Sequence, residues 1–237
     1  MNRAVKSPIG KAVSAMLIVA ALGLLSYRWY RGSRIGSTIV TVNVEGGTLT
    51  IRTLPGYCSE VTRDFITPLE REAILNGKVI AVSAPCSELT AFKTGKVARL
   101  QKYIVWFVGS TAGGSPLRLS PDTTRSDFAD QMAQTMPKVD LAEVASEVEK
   151  SGFKIGIIEQ GLIDRDVDAV YVGSILRRND DGTVRIIPSV TGIAAIHHFV
   201  LSINAYDDFE GNAASLSDLL PSIKTLMRAA LSDNSEN

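Results

Sequence analysis

Cysteine and histidine are nearly missing from this chain, with two of each in 237 residues. That scarcity removes several chemistries. A tetrahedral zinc site asks for four ligands, and because the adjacent His197 and His198 point to opposite faces, Cys58, Cys86 and one histidine supply too few. A thioredoxin-like redox pair needs C-x-x-C, which does not occur. No serine lies in a G-x-S-x-G elbow. An excess of one charge is missing as well: Lys plus Arg and Asp plus Glu each number 25. A nucleic-acid binder carries a basic face or excess, so no nucleic-acid partner is expected. There is no internal repeat and no long low-complexity run. Apolar residues make up 45% and charged residues 21%, which suits a folded core.

What is present begins at the amino terminus. Ala12 to Tyr27 carries no charge. As a helix it spans roughly 24 Å, a little short of the roughly 30 Å hydrocarbon core. Trp29 and Tyr30 extend it with interface-seeking side chains, and Arg28 reaches the headgroups. The expectation is a transmembrane signal anchor over 12–30, after a short cytoplasmic tail, 1–11. The competing reading is a cleaved signal peptide, started by Arg3, Lys6 and Lys11. Its best small pair, Ala21 and Gly23, leaves Leu24 and Leu25 inside the apolar run, which favours retention. No cysteine follows the run, so a lipoprotein has no residue to carry its lipid. Basic residues flank both ends, so the positive-inside rule is nearly balanced. The likeness to a signal peptide and the cysteines put the amino terminus inside and the main domain outside.

Residues 31–37 read as a basic Gly/Ser linker, 38–232 as a folded domain and 233–237 as a disordered tail. "STIVTVNV" and "TLTIRTL" alternate as a hairpin around "EGG", with Val40, Val42, Val44, Leu49 and Ile51 inward. "TPLEREAILNG" has a helix signature: Thr67 as N-cap, Pro68 in the first turn and Glu70 in a capping box. "KVIAVSA" and "KYIVWFV" are apolar strands, the first placed centrally. "GSTAGGSPLRLSPD" is an irregular loop. Two helices follow, one carrying Phe128, Met132 and Met136, the other opened by Asp140 and Glu143 and ended by Gly152. Four strands form a meander: "KIGIIEQGLI", "AVYVGSILRR", "TVRIIPSVTGIAAI" and "FVLSINAY". The last helix carries Leu216, Leu219, Leu220, Ile223, Leu226, Met227, Ala230 and Leu231 on one stripe, and Pro221 is expected to kink or restart it. The class is α+β, an antiparallel sheet with helices packed on it.

The opening hairpin, "GYC", "APC" and a meander ending in "VLSINAY" before a Leu-rich helix resemble the PsbP-like α/β sandwich, and above all uncharacterised bacterial envelope proteins of that shape. The resemblance covers roughly residues 38–232. It implies a fold and a bias toward binding membrane complexes or envelope partners, with no catalytic motif to carry over.

In an oxidising compartment Cys58 and Cys86 are expected as a structural disulfide, contributing about 3–4 kcal/mol by the loop-entropy model; two free buried thiols are the alternative. His197 and His198 fall at a turn and read as solvated; neighbours on a strand point to opposite faces and make poor joint ligands. Asp164, Asp166 and Asp168 start like a calcium loop, but Ala169 and Ile175 stand where Gly and Glu belong, so a solvated turn is expected. Asp207, Asp208 and Glu210 form a similar acidic loop. Gly95-Lys96 lacks the rest of a phosphate loop, and Trp106 and Phe107 read as core.

The expectation is therefore a single-pass inner (cytoplasmic) membrane protein with a periplasmic or extracytoplasmic domain. Its partners are the lipid bilayer and an envelope protein, it needs no cofactor or metal, and it is not an enzyme. The alternative is a small-ligand or enzymatic domain with a site near the 109–122 loop.

Overall fold

The computed structural model describes residues 39–44, 47–62, 65–66, 77–111, 115–138, 157–180, 183–207 and 214–235. The chain divides into two units, Met1–Gly36 and Ser37–Asn237, and every described residue belongs to the second. The expected anchor, the linker and the helices over 67–76 and 140–152 lie outside the described residues. Among the described residues no helix is long and apolar enough to cross a membrane.

Strands β1 (Ile39–Val44) and β2 (Gly47–Arg52) pair as a separate antiparallel hairpin. Alternation drives it: Val44, Leu49 and Ile51 are buried while Thr41 and Asn43 are exposed. The remaining strands are β3 (Tyr57–Glu60), β4 (Gly77–Pro85), β5 (Lys102–Gly109), β6 (Ile157–Arg165), β7 (Ala169–Asp180), β8 (Thr183–Ile196) and β9 (Phe199–Asp207). They form one seven-stranded sheet in the order β3-β4-β5-β9-β8-β7-β6, with every pairing antiparallel. Helices α1 (Cys86–Lys93), α2 (Arg125–Thr135) and α3 (Ala214–Asp233) complete the described elements. The expected antiparallel sheet with packed helices is present, with the hairpin set apart as a second sheet. One strand was not foreseen: Tyr57–Glu60 pairs along β4 and makes β4 the second strand from the edge.

One face of the large sheet carries Trp106, Tyr171, Val190, Ala194 and Ile203 under α3 and the β1–β2 hairpin. Gly192 lets α3 come close: a Cβ there would stand 2.8 Å from Ile223 Cγ2. Helix α3 runs unbroken through Pro221, correcting the expected restart. The ring removes one hydrogen bond on the exposed side, while buried Ile223, Leu226, Met227 and Ala230 hold the helix to the sheet. On the opposite face, α1 covers a cluster with Val82, Leu89, Val105 and Phe107, and α2 covers smaller ones with Phe128, Ala129 and Val170.

Local chemistry ends the helices. Thr124 Oγ1 accepts from Asp127 N at 3.1 Å and caps α2. Gly95, at φ 70°, ends α1: its N–H donates to Phe92 O, and Lys96 N donates to Ala91 O. Gly95-Lys96 is thus a helix stop. The described residues of the 109–122 segment, which leave out 112–114, are less irregular than expected. Ser110 bridges to Pro116, Arg118 to Phe199, and Leu119 N donates to His198 O.

Candidate functional site

His197 and His198 are the two loop residues between β8 and β9, where Ile196 pairs with Phe199. Both adopt left-handed backbone, at φ 48° and 61°. A two-residue hairpin loop takes positive φ at both positions to match strand twist, and Asn-Gly is the usual choice. Two histidines there cost on the order of 1 kcal/mol each in backbone strain. Their contacts offset part of it. His197 Nε2 donates to the Asn234 carbonyl at 2.8 Å, and His198 O accepts from Leu119. His197 is therefore bonded to the chain's end and is not the solvated turn residue expected; His198 is exposed as expected.

Around this turn lies an open cleft of about 380 Å³, lined by Thr123, Thr124, Arg125, His197, His198 and Ser235, among others. The expected site near the 109–122 loop corresponds to it only at Pro121; the other lining residues come from the start of α2, Ala195 of β8, the β8–β9 turn and just past the end of α3. The described residues that line it offer hydroxyls, imidazoles and a guanidinium. Part of this capacity is already used. Arg125 donates to Leu231 O at 3.4 Å and Asn234 O at 3.2 Å, placing a cation on the carbonyl end of α3. Among the described residues neither histidine bonds a serine or threonine hydroxyl, so the cleft holds no formed nucleophile–base pair there.

The wall behind the cleft is fixed by Asn234. Its Oδ1 accepts from Thr50 N at 2.8 Å, and its Nδ2 donates to Thr50 O at 2.9 Å and Ala230 O at 2.8 Å. Beside it Arg52 makes a two-pronged bond to Asp233. Of the expected tail 233–237, Asp233 and Asn234 are tied to the first hairpin, while 236–237 lie outside the described residues. Small polar residues look like a tail in sequence because their partner, Thr50, lies far away along the chain.

The acidic stretch is corrected in the same way. Lys224 bridges Asp164 Oδ2 at 2.7 Å and Asp166 Oδ1 at 3.2 Å, Arg228 reaches Asp166, and Tyr171 OH donates to Asp166 at 2.9 Å. The Lys224 bond holds the Asp164 carboxyl below its ordinary range. For Asp166 burial works against ionisation, but the bonds from Tyr171 and Lys224 outweigh it. Burial, then the bond to Asp166, pushes the Tyr171 phenol up. A lysine ammonium takes the place that the calcium-like spacing suggested for a metal. Among the described residues no group of three His, Cys, Asp or Glu could hold a metal ion. Asp207 pairs with Lys102 at 3.0 Å; Asp208 and Glu210 lie outside the described residues.

Cys58 and Cys86 are joined by a disulfide, with Cα atoms 4.8 Å apart. It links edge strand β3 to the first residue of α1, where Cys86 N also donates to Gly56 O. Glu60, at the other end of β3, pairs with Lys93 at the far end of α1. Burial opposes ionisation of Glu60, yet the Lys93 ammonium and the N–H of Thr62 bring its carboxyl down to about 2.

No family model and no curated protein sequence matches this chain. Among solved structures, it is similar to the solution structure of cyanobacterial PsbP (CyanoP) from Synechocystis sp. PCC 6803, with 10% identity and a TM-score of 0.36, over 82% of this chain and 94% of that one.

Proposed function

We propose that this chain is a membrane-anchored, extracytoplasmic binding module of the cell envelope, with a PsbP-like sandwich as its folded part. The observation that carries the reading is the Cys58–Cys86 disulfide, because such bonds form and persist in oxidising compartments. The uncharged run from Ala12 to Tyr27 supports a single span that delivers the domain there. The bilayer and an envelope protein are its partners in this reading, without a cofactor. Two measurements on intact cells test it. The membrane-extracted protein should have the mass of the uncleaved chain, and thiol trapping before lysis should leave both cysteines unlabelled. A mature start at or after residue 23 removes the anchor, and two freely alkylated cysteines remove the compartment.

The cleft at the β8–β9 turn favours a second reading, a small-ligand domain. His198→Ala leaves the turn's backbone contacts in place. Loss of binding to a small ligand in that variant, with melting unchanged, would move the assignment to this reading.

A further inference from the structure

On the sheet face away from α3, successive positions of β8 and β9 are polar where an apolar core would be expected. Thr191 stands directly opposite Asn204, and Ser189 opposite Tyr206; Ser202 follows on the same face. Ser174 of β7 joins the row through a 2.5 Å contact between its Oγ and that of Ser189. Apolar clusters flank the row, one with Val82, Val105 and Phe107, the other with Phe128, Ala195 and Val200.

Asn204 is 5% exposed. Its Nδ2 donates to Tyr206 OH at 2.6 Å, but among the described residues its buried Oδ1 has no hydrogen-bond partner. Turning the amide over lets the phenol donate to Oδ1 and instead strands the amide N–H groups, so one end is unmet either way. Buried polar groups of this kind are partnered as a rule, by protein or by a bound molecule. The row also touches solvent, because Thr191 is only partly buried.

We propose that the Asn204 amide and the Thr191 hydroxyl form a binding site for a neutral hydroxyl group. A hydroxyl can donate to Oδ1 or accept from Nδ2, so it satisfies either amide orientation. An ion fits poorly: Ser174, Ser189, Thr191, Ser202, Asn204 and Tyr206 are all neutral, and an unpaired buried charge is heavily penalised. The hydroxyl comes from an internal water molecule or from a small polyol taking its place. The site is independent of the anchored-module reading.

The test uses the full chain in detergent micelles, labelled with nitrogen-15, with glycerol as the polyol probe. Water-selected NOE spectra should show a cross-peak at the Asn204 side-chain amide. A second cross-peak, at the backbone amide of residue 204, should vanish in Asn204→Leu, and both should weaken in Thr191→Val, the variant to use if the first does not fold. A cross-peak that glycerol leaves unchanged assigns water; saturable replacement by a glycerol cross-peak assigns a polyol, and both support the site. No cross-peak from either molecule in the unaltered chain overturns it, as does one that persists undiminished in the folded variants.

Discussion

The two faces of the large sheet are built from the same strands to different ends. Phe199, Leu201, Ile203 and Ala205 of β9 face α3 and belong to one continuous apolar cluster. Val200, Ser202, Asn204 and Tyr206, the residues between them, face the other way and divide among separate clusters and a polar row. Strand alternation allows one face to be committed to stability while the other carries groups that need partners. A buried polar row stabilises only when fully satisfied, and among the described residues the Asn204 Oδ1 has no partner, so this face should contribute less to holding the fold together. The α3 face, by contrast, should account for most of the resistance to unfolding.

The sharpest way to break this comparison is at the middle of α3. Leu226 is buried in the continuous cluster. Leu226→Ala should cost about 2–5 kcal/mol and lower the melting temperature, because the cavity cannot fully collapse within that cluster. An unchanged melting temperature with lost capture of an envelope partner would mean that the α3 stripe is an interface instead.

The opposite face depends on a covalent link at its edge. β3 is only four residues long, too short to hold itself by pairing alone. Replacing both cysteines, Cys58→Ala with Cys86→Ala, should cost about 2–4 kcal/mol in denaturant unfolding. The sheet should persist, because Glu60–Lys93 and the Cys86 N–Gly56 O bond still join β3 to α1. Loss of all cooperative unfolding would show that the edge organises the domain.

These two predictions mark how much was legible in the sequence. Strand β8 is readable to the residue and β9 to within one, since "TVRIIPSVTGIAAI" and "FVLSINAY" are long, apolar and separated only by the two histidines. The α3 stripe and the inward residues of the first hairpin follow from periodicity alone. The cysteine pairing was legible only in part, because spacing cannot supply the Cα separation. What could not be read has a common cause: the missing partner is distant in the chain. Asp166 looks solvated until Lys224 and Arg228 are placed beside it, and Asn234 looks like a tail until Thr50 is. β3 was hidden by its length. The turn at His197 and His198 was read, but its left-handed backbone was not, because His-His is an unusual choice there.

The edge can be sharpened further with pH. The ordinary Glu value is 4.5 and that of Glu60 is about 2, so its ionised form is favoured by folding. The stabilisation is fully present above about 4.5 and is lost as pH falls toward 2. Its size is on the order of 2–3 kcal/mol, allowing for the half-exposed Lys93. Glu60→Gln should lower stability at neutral pH by about that amount and flatten the acid limb of the unfolding profile. An unchanged acid limb would mean that other carboxylates govern it.

The smallest expected effect lies at the end of α3, where the stable face meets the cleft. Asn234 is 4% exposed and makes three side-chain bonds, two to Thr50 and one to Ala230. Its carbonyl also accepts from His197 and Arg125. Asn234→Ala removes the first set and keeps the second, because the backbone stays. Thr50 sits on an outer hairpin that water can reach once the side chain is trimmed, so its freed groups are partly resolvated. The cost should therefore be about 1–2 kcal/mol, well below that of Leu226→Ala. The loss should be local: amide exchange should speed up at Thr50 and leave Ile203 protected. Truncation after Asp233 removes both sets and should also loosen the His197–His198 turn, seen as faster exchange at Leu119, whose N–H donates to His198 O. Equal exchange at Leu119 in the truncated and full chains would show that the turn holds its left-handed backbone without the clasp, and that the cleft wall is set by β8 and β9 alone.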